Sequence, residues 1–311
     1  MRVLDADHIR ARVDPGALVQ SLREAFAGQN RIEAPARMHL PMDEDLESTL
    51  LVMPAWERGR YVGVKVVGHY PRNGAEGLPS ILGSYLLLEA RTGQPVAVLD
   101  ATELTPWRTA AASALAADHL GPDQVNEHLV IGAGKVAAAV PACYSVVREV
   151  ELTRVWARRP ERAAALVDQL RSEGRAAEPV ADLRAAVRTA DVITSATSST
   201  TPLILAEDVR PGAHVDLIGA FSPQMVEADE ALVTSAKVFI DGPEALHAGD
   251  LAGPLERGTF TETDVHGTLA DLVTGRHGGR RAAAEVTLFK SVGSALEDLV
   301  AAVLVVEAGD A

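Results

Sequence analysis

The stretch His128-Leu129-Val130-Ile131-Gly132-Ala133-Gly134-Lys135-Val136-Ala137 constrains this chain more than any other. A short apolar run ends in G-x-G-x-x-A and a helix-forming run follows. Only a strand that turns tightly into a helix needs glycines there. Gly132 permits the turn, Gly134 lets a pyrophosphate approach the backbone, and Ala137 lets helix and strand pack closely. The helix start then offers unpaired N–H groups and the positive end of a dipole to phosphates. In a chain rich in alanine and glycine such a motif also arises by chance, so the flanks decide. Residues 137–150 hold no glycine and one early proline, and a second strand-like run, Thr153-Arg154-Val155-Trp156, arrives at βαβ spacing.

The rest of the chain is punctuated in the same way. Residues 3–30 read as an entry strand and an amphipathic helix that starts at Asp14-Pro15, with Leu18, Leu22, Ala25 and Phe26 on one face. Pro35, Pro41 and Pro54 mark a loop-and-strand region, and residues 61–68 alternate as a strand. Residues 84–89 and 96–99 read as a hairpin around Thr92-Gly93. A helix is expected from Thr105, with Pro106 in its first position, to Leu120; Gly121-Pro122 ends it. Helices at 161–173 and 182–188 then alternate with apolar, buried-strand runs at 191–194, 214–218 and 237–240, and a last strand and helix occupy 285–290 and 294–306. Strands alternating with helices imply a parallel sheet covered on both faces. The fold class is therefore α/β. A Rossmann-type parallel sheet domain is expected over 121–293, and a mixed α+β domain over 1–120 with 294–311.

Composition excludes several function classes. A formal net charge of -14 over 311 residues, with no basic cluster, argues against nucleic-acid partners. No run of 18 apolar residues exists and the first residues lack a signal-peptide core, so a soluble cytoplasmic protein without membrane contact is expected. The nine histidines are scattered without ligand spacing, so no metal site is expected. The single Cys143 reads as a packing residue rather than a reactive thiol. Lysines are scarce: Lys65, Lys135, Lys237 and Lys290 only.

Several segments together resemble the ornithine cyclodeaminase/mu-crystallin family. They are Gly63-Val64-Lys65-Val66-Val67 with Pro71-Arg72-Asn73, Gly77-Leu78-Pro79-Ser80, Glu103-Leu104-Thr105 with Arg108-Thr109-Ala110-Ala111-Ala112-Ser113, the glycine loop, Ile218-Gly219-Ala220-Phe221-Ser222-Pro223, and Glu285-Val286-Thr287-Leu288-Phe289-Lys290-Ser291-Val292-Gly293. They run in the family's order over nearly the whole chain. The resemblance implies that the α+β part binds substrate and forms a homodimer. Family members include cyclodeaminases, imine reductases, amino-acid dehydrogenases and a hormone binder, so the family name alone does not choose the reaction.

The resemblance places Arg37, Lys65 and Arg108 at substrate positions, with Lys65 and Arg108 the catalytic pair and Phe221 and Gly293 beside the substrate. An arginine fork matches the two oxygens of a carboxylate. Arg108 could instead pair with Glu103 or Asp118 on a helix surface, and Arg37 could be an ordinary loop arginine. Lys65 could be an edge-strand lysine in water; turned inward, with Val64 and Val66 on the other face, its pKa would fall. His69 is a second candidate acid. Toward the cofactor, the motif nominates Gly132, Ala133, Gly134, Lys135 and Val136, where many members have glutamine at Val136. The resemblance adds Ser80, Thr109, Ala196, Thr197, Ser198, Gly219, Lys290 and Ser291. The second strand ends Ala157-Arg158-Arg159, with no carboxylate for a ribose 2′-hydroxyl and two arginines suited to a 2′-phosphate. NADPH is expected, with NADH the alternative.

Phe221 stands where cyclodeaminases of this family carry an acid/base aspartate. Deamination with ring closure must move protons on and off two nitrogens and a water, which phenylalanine cannot do. Reduction of a preformed cyclic imine asks less, and pyrroline-2-carboxylate reductases of the family have a similar Gly-Ala-Phe-x-Pro string. The expected activity is NAD(P)H-dependent reduction of a cyclic 2-imino acid, Δ1-pyrroline-2-carboxylate or Δ1-piperideine-2-carboxylate. The alternatives are an ornithine or lysine cyclodeaminase, an amino-acid dehydrogenase acting on a linear imine, and a non-catalytic NADP or small-ligand binder.

Overall fold

The computed structural model describes residues 1–43 and 47–309. The chain divides into two compact units, Met1–Arg108 with Ser294–Ala311, and Thr109–Gly293.

The first unit is built on a seven-stranded sheet. In chain order it contains β1 (Arg2–Leu4), α1 (Ala6–Arg12), α2 (Pro15–Phe26), β2 (Ile32–Glu33), β3 (Met38–Asp43), β4 (Ser48–Glu57), β5 (Tyr61–His69), β6 (Ile81–Glu89), β7 (Pro95–Asp100) and the start of α3 (Ala101–Leu120). The strand order is β1-β7-β6-β5-β4-β2, with β3 also on β4. Only β1 joins its neighbour in parallel; the other pairs are antiparallel. Pro54 lies within β4 at a position that neither β2 nor β3 pairs, so its missing N–H breaks no ladder on that side. Asp14 caps α2 by accepting from the Ala17 N–H at 2.6 Å, and Leu18, Val19, Leu22 and Ala25 are buried. The C-terminal helix, Ala295–Glu307, packs on α2, β4, β5 and β6 and covers one face of the sheet. On the opposite face Val66 is 41% exposed and Leu82 and Val3 are also exposed.

Helix α3 begins a turn earlier than Thr105. The Asp100 carboxylate accepts from the N–H groups of Thr102 (2.7 Å) and Glu103 (3.2 Å), so a carboxylate starts the helix. Pro106 then sits inside it, at the loss of one hydrogen bond. The two units divide inside this helix rather than at Gly121. Its second half is tied into the second unit: His119 and Leu120 carbonyls accept from the Arg280 N–H (3.1 Å) and the Thr287 hydroxyl (2.8 Å).

The second unit carries β8 (Val125–Ile131), α4 (Lys135–Val147), β9 (Val150–Trp156), α5 (Pro160–Ser172), β10 (Ala177–Pro179), α6 (Leu183–Thr189), β11 (Val192–Ser195), β12 (His214–Leu217), α7 (Glu230–Ser235), β13 (Lys237–Ile240), α8 (Gly249–Arg257), β14 (Val265–Thr268), α9 (Leu269–Val273) and β15 (Thr287–Lys290). Its eight strands are all parallel, ordered β10-β9-β8-β11-β12-β15-β13-β14. From β8 the chain winds outward through β9 and β10, then returns to β8's other side with β11. That reversal opens a crevice at the strand ends, where Rossmann sheets take a dinucleotide.

The central strands are not uniformly apolar. Leu129, Ile131, Ile193, Val215, Leu217 and Leu288 alternate on one face and form the core. The other face buries His128, Thr194, His214, Asp216 and Thr287. Asp216 accepts from the Tyr144 and Thr194 hydroxyls and meets His214 Nε2 at 3.0 Å; His128 Nε2 meets Thr194 Oγ1 at 2.9 Å. Burial pushes both histidines down to about 3 and Asp216 up, which makes this a neutral polar core. Cys143 is buried, and burial raises its thiol to about 12, so it is inert at neutral pH.

Candidate functional site

The second unit holds an open cleft at the sheet reversal. One wall is Gly132, Ala133 and Gly134, between β8 and α4. Gly132 has φ 121°, and a Cβ there would lie 2.6 Å from the Ala196 carbonyl oxygen, so only glycine fits. Gly134 is the N-cap of α4, with nothing within 4 Å of where its Cβ would be. Backbone can therefore meet a phosphate there without a side chain between. Ala137, one turn on, is fully buried against the sheet. These features fit a dinucleotide. Lys135 and Val136 open α4 next to this wall.

Ala157, Arg158 and Arg159, after β9, form a second wall, with Trp156 and Arg162 beside them. Arg162 was not anticipated: the strand-end pattern stops at Arg159, and one turn of α5 brings Arg162 to the same cleft. Ala196, Thr197 and Ser198, after β11, line the far side with Ser199 and Leu203.

The loop after β11 is held by a residue that sequence reasoning missed. Glu227 is fully buried, and its Oε1 accepts from the Thr197 N–H (2.8 Å), the Thr197 hydroxyl (2.9 Å) and the Ser195 hydroxyl (2.6 Å). Its Oε2 accepts from the N–H groups of Gly219 (2.8 Å) and Ala220 (3.0 Å). One carboxylate thus ties the loop after β11 to the loop after β12. Gly219 makes this possible, because a Cβ there would lie 2.1 Å from the Thr197 nitrogen. Burial raises the Glu227 pKa, while Lys290 opposes that shift.

Lys290 and Ser291, at the end of β15, each have partners inside the protein. The Lys290 ammonium is fully buried, 2.5 Å from the Ala220 carbonyl and 3.2 Å from Asp250 Oδ2. It acts as a counter-ion inside the protein, because burying Asp250 and Glu227 requires a nearby cation. Ser291 Oγ donates to Asp241 Oδ2 at 2.8 Å, and the Gly293 N–H reaches the same oxygen at 2.6 Å. Asp241 therefore shapes the turn after β15. Thr109 is buried in α3, Phe221 is half-buried after β12, and Ser80 is exposed before β6 in the first unit.

The first unit gathers a cluster of charges. Lys65 points inward from β5 at 3% exposure, flanked on its strand by the exposed Val66. Its Nζ lies 2.6 Å from Asp298 Oδ2. Arg108, also buried, donates from Nε to Asp298 Oδ1 (3.1 Å) and from Nη1 to Glu297 Oε2 (3.0 Å). Of the acids open to Arg108 from sequence, Glu103 pairs with Arg10 (2.9 Å) and Asp118 with Arg148 (2.6 Å). Burial brings Lys65 down to about 8, with Asp298 pulling it up and Arg108 and Arg37 pushing it lower. Burial disfavours the Asp298 charge, but Lys65 and Arg108 outweigh that and hold its carboxyl below the usual range. Arg37, half-buried before β3, thus acts electrostatically on Lys65. His69, at the end of β5, is half-buried, and burial lowers its pKa.

Glu297 and Asp298 carried a faint signal: two acids opening an otherwise apolar helix. Helix capping explains such acids equally well, and Glu297 does form part of a cap with Ser294 (3.2 Å). Among the described residues no cluster suited to a metal ion occurs, and no helix is long and apolar enough to cross a membrane.

The chain is similar to known proteins over most of its length. A curated Delta(1)-pyrroline-2-carboxylate reductase of Paracoccus denitrificans is 40% identical over 259 residues, covering 82% of this chain and 81% of the relative. The solved structure of Thermococcus litoralis Delta(1)-pyrroline-2-carboxylate reductase in complex with NADH and L-proline superposes with a TM-score of 0.94 at 30% identity, covering 99% and 97% of the two chains. An archaeal alanine dehydrogenase dimer with bound NAD gives 0.92 at 28% identity, covering 99% and 96%. The profile described as "Ornithine cyclodeaminase/mu-crystallin family" matches residues 3–310, and with these relatives it shows that the chain belongs to the ornithine cyclodeaminase/mu-crystallin family.

Proposed function

We propose that this protein is an NAD(P)H-dependent imine reductase that converts a cyclic 2-imino acid, Δ1-pyrroline-2-carboxylate or Δ1-piperideine-2-carboxylate, to proline or pipecolate. Its relatives at 40% and 30% identity carry the name of that reductase. The observation that chooses this reaction within the family is Phe221, which can neither accept nor donate a proton where cyclodeaminases have an aspartate. A reduced nicotinamide dinucleotide, when bound, supplies the hydride. Lys65 and Arg108 bind and orient the substrate carboxylate, with Arg37 adding positive potential and Gly293 lining the substrate. Phe221 keeps the reacting carbon dry. The imine nitrogen is basic enough to enter partly protonated, so no enzyme base is required for hydride attack.

The glycine loop, Lys135, Val136, Ala157 to Arg159 and Ala196 to Ser198 are the proposed dinucleotide contacts, with Ser80, Thr109 and Gly219 the further positions to test. Arg158, Arg159 and Arg162 support a preference for NADPH, although the solved relatives carry NADH or NAD. The exposed apolar residues Val3, Val66 and Leu82, and the alanine dehydrogenase dimer among the relatives, support a homodimer joined through the sheet of the first unit; light scattering tests it. The same reading puts the enzyme in the cytoplasm, where reduced nicotinamide cofactors are regenerated, and cell fractionation tests that.

The deciding experiment follows NADPH and NADH oxidation with both cyclic imines, and with pyruvate plus ammonia. Turnover of a cyclic imine without ammonia is expected. Activity that depends on ammonia would make the protein an amino-acid dehydrogenase, and ammonia release from ornithine or lysine without net cofactor change would make it a cyclodeaminase.

A further inference from the structure

We infer that Asp298 is a positioning residue of the substrate site, its carboxylate bridging Lys65 and Arg108 so that one stays protonated and the other stays aimed. The substrate's identity rests on the reductase reading above; the bridge itself does not.

Each oxygen of Asp298 serves one cation. Oδ2 lies 2.6 Å from Lys65 Nζ, and Oδ1 accepts from Arg108 Nε at 3.1 Å. A single rigid carboxylate thereby sets the spacing of the two positive groups that would take the two oxygens of a substrate carboxylate. The bridging carboxylate has no exposed surface and both cations are buried, so the attraction is weakly screened. It also sits in the first turn of a 13-residue helix, where the backbone dipole favours an anion. Glu297 has a narrower part: it meets Arg108 Nη1 and the Ser294 hydroxyl.

The groups around Lys65 show why the anion matters. Across β5, its neighbours on β4 and β6 are Met53 and Tyr85. Tyr85 has a fully buried hydroxyl without a partner, and burial, with Asp298, pushes its pKa far up, so it stays neutral. Arg108 and Arg37 both disfavour a proton on Lys65, and so does burial. Among the described residues Asp298 is the largest influence favouring it, from 2.6 Å. With Asp298 made neutral, the ammonium would face two guanidinium groups in a dry setting and give up its proton at a lower pH.

The test uses the whole enzyme with Δ1-piperideine-2-carboxylate and NADPH. Two readouts are followed: kcat/KM against pH, and the side-chain titration of Lys65 by NMR with labelled lysine, which is resolvable because the chain has four lysines. In the wild type, kcat/KM is expected to fall as pH rises through about 8, together with the Lys65 titration. Asp298→Asn is expected to move both to lower pH by about one to two units. Glu297→Gln is expected to lower kcat/KM without moving either. Asp298→Glu, which keeps the charge on a longer arm, is expected to restore the position of the alkaline fall while kcat/KM stays below wild type. A folded Asp298→Asn enzyme whose Lys65 titrates as in the wild type overturns the proposal. If Asp298→Asn does not fold, Asp298→Glu decides, and full wild-type kcat/KM or a displaced alkaline fall in it overturns the proposal. A wild type that reduces no cyclic imine, while Lys65 still shifts in Asp298→Asn, removes the reductase reading and leaves the bridge standing.

Discussion

Replacing Arg108 by alanine perturbs the proposed substrate clamp and the buried charge cluster at once, and the two effects separate by measurement. Arg108 is the partner of Glu297 at 3.0 Å and of Asp298 at 3.1 Å, and all three are buried. Removing one member of a buried ion pair costs about 3–5 kcal/mol, because the other charge is left without compensation. Asp298 keeps Lys65, and Glu297 keeps the Ser294 hydroxyl, so the low end, about 3 kcal/mol, is expected. That is a large part of the roughly 5–15 kcal/mol that holds a domain folded. The substrate loses a charge-assisted, fork-shaped contact worth about 2–4 kcal/mol, which corresponds to a fall in kcat/KM of about 30- to 1,000-fold. Urea unfolding reads the first effect, and initial rates of NADPH oxidation read the second. Adding Glu297→Gln to Arg108→Ala removes the orphaned acid, so stability is expected to recover while kcat/KM does not. An Arg108→Ala enzyme within about 1 kcal/mol of wild-type stability and with wild-type kcat/KM would refute both parts of the reasoning.

Three other outcomes are expected. Arg158→Ala combined with Arg159→Ala should weaken NADPH far more than NADH in fluorescence titrations; a wild type that binds NADH about tenfold tighter would make the two arginines a solvated turn. Phe221→Asp should lower cyclic-imine reduction by placing an unpaired carboxylate beside an apolar ring, and should expose weak lysine or ornithine deamination, since a positioned acid/base group is worth roughly 10²–10⁴ in rate; robust cyclisation of the linear diamino acid by the wild type would give the proton step to Lys65 or His69. His128, held neutral by burial at a pKa of about 3 against 6.5 in the unfolded chain, makes the unfolded state take up a proton first as pH falls. Its contribution is therefore fully present above pH 6.5 and is lost toward pH 3, at up to about 1.4 kcal/mol per pH unit. His128→Leu should flatten that part of the acid limb of stability, read as urea midpoint against pH; an unchanged slope would mean His128 is charged in the fold.

What was legible in the sequence was local. The turn at Gly132 and Gly134, the close packing at Ala137, the alternation that puts Lys65 inside and Val66 outside, and the arginines after β9 each depend on a few consecutive residues. The backbone geometry that relates such neighbours is the same in any fold. The helix start at Ala101 was misplaced for a reason on the same scale: Pro106 is a strong start signal, and the Asp100 carboxylate simply took the N–H groups one turn earlier.

The partners of the charged groups were not legible. Lys65 and Arg108 stand out in the sequence, but nothing near them names Asp298, which is 190 residues from Arg108. Glu227 and Asp250 look like ordinary surface acids, and nothing in the sequence joins them to Lys290 until the fold brings the three together. Residue type and spacing determined the sheet, the nucleotide cleft and the cationic positions of this protein. Only the tertiary structure decided which carboxylate answers which cation, because buried charges must be compensated by whatever packing places within about 3 Å, and packing is indifferent to distance along the chain.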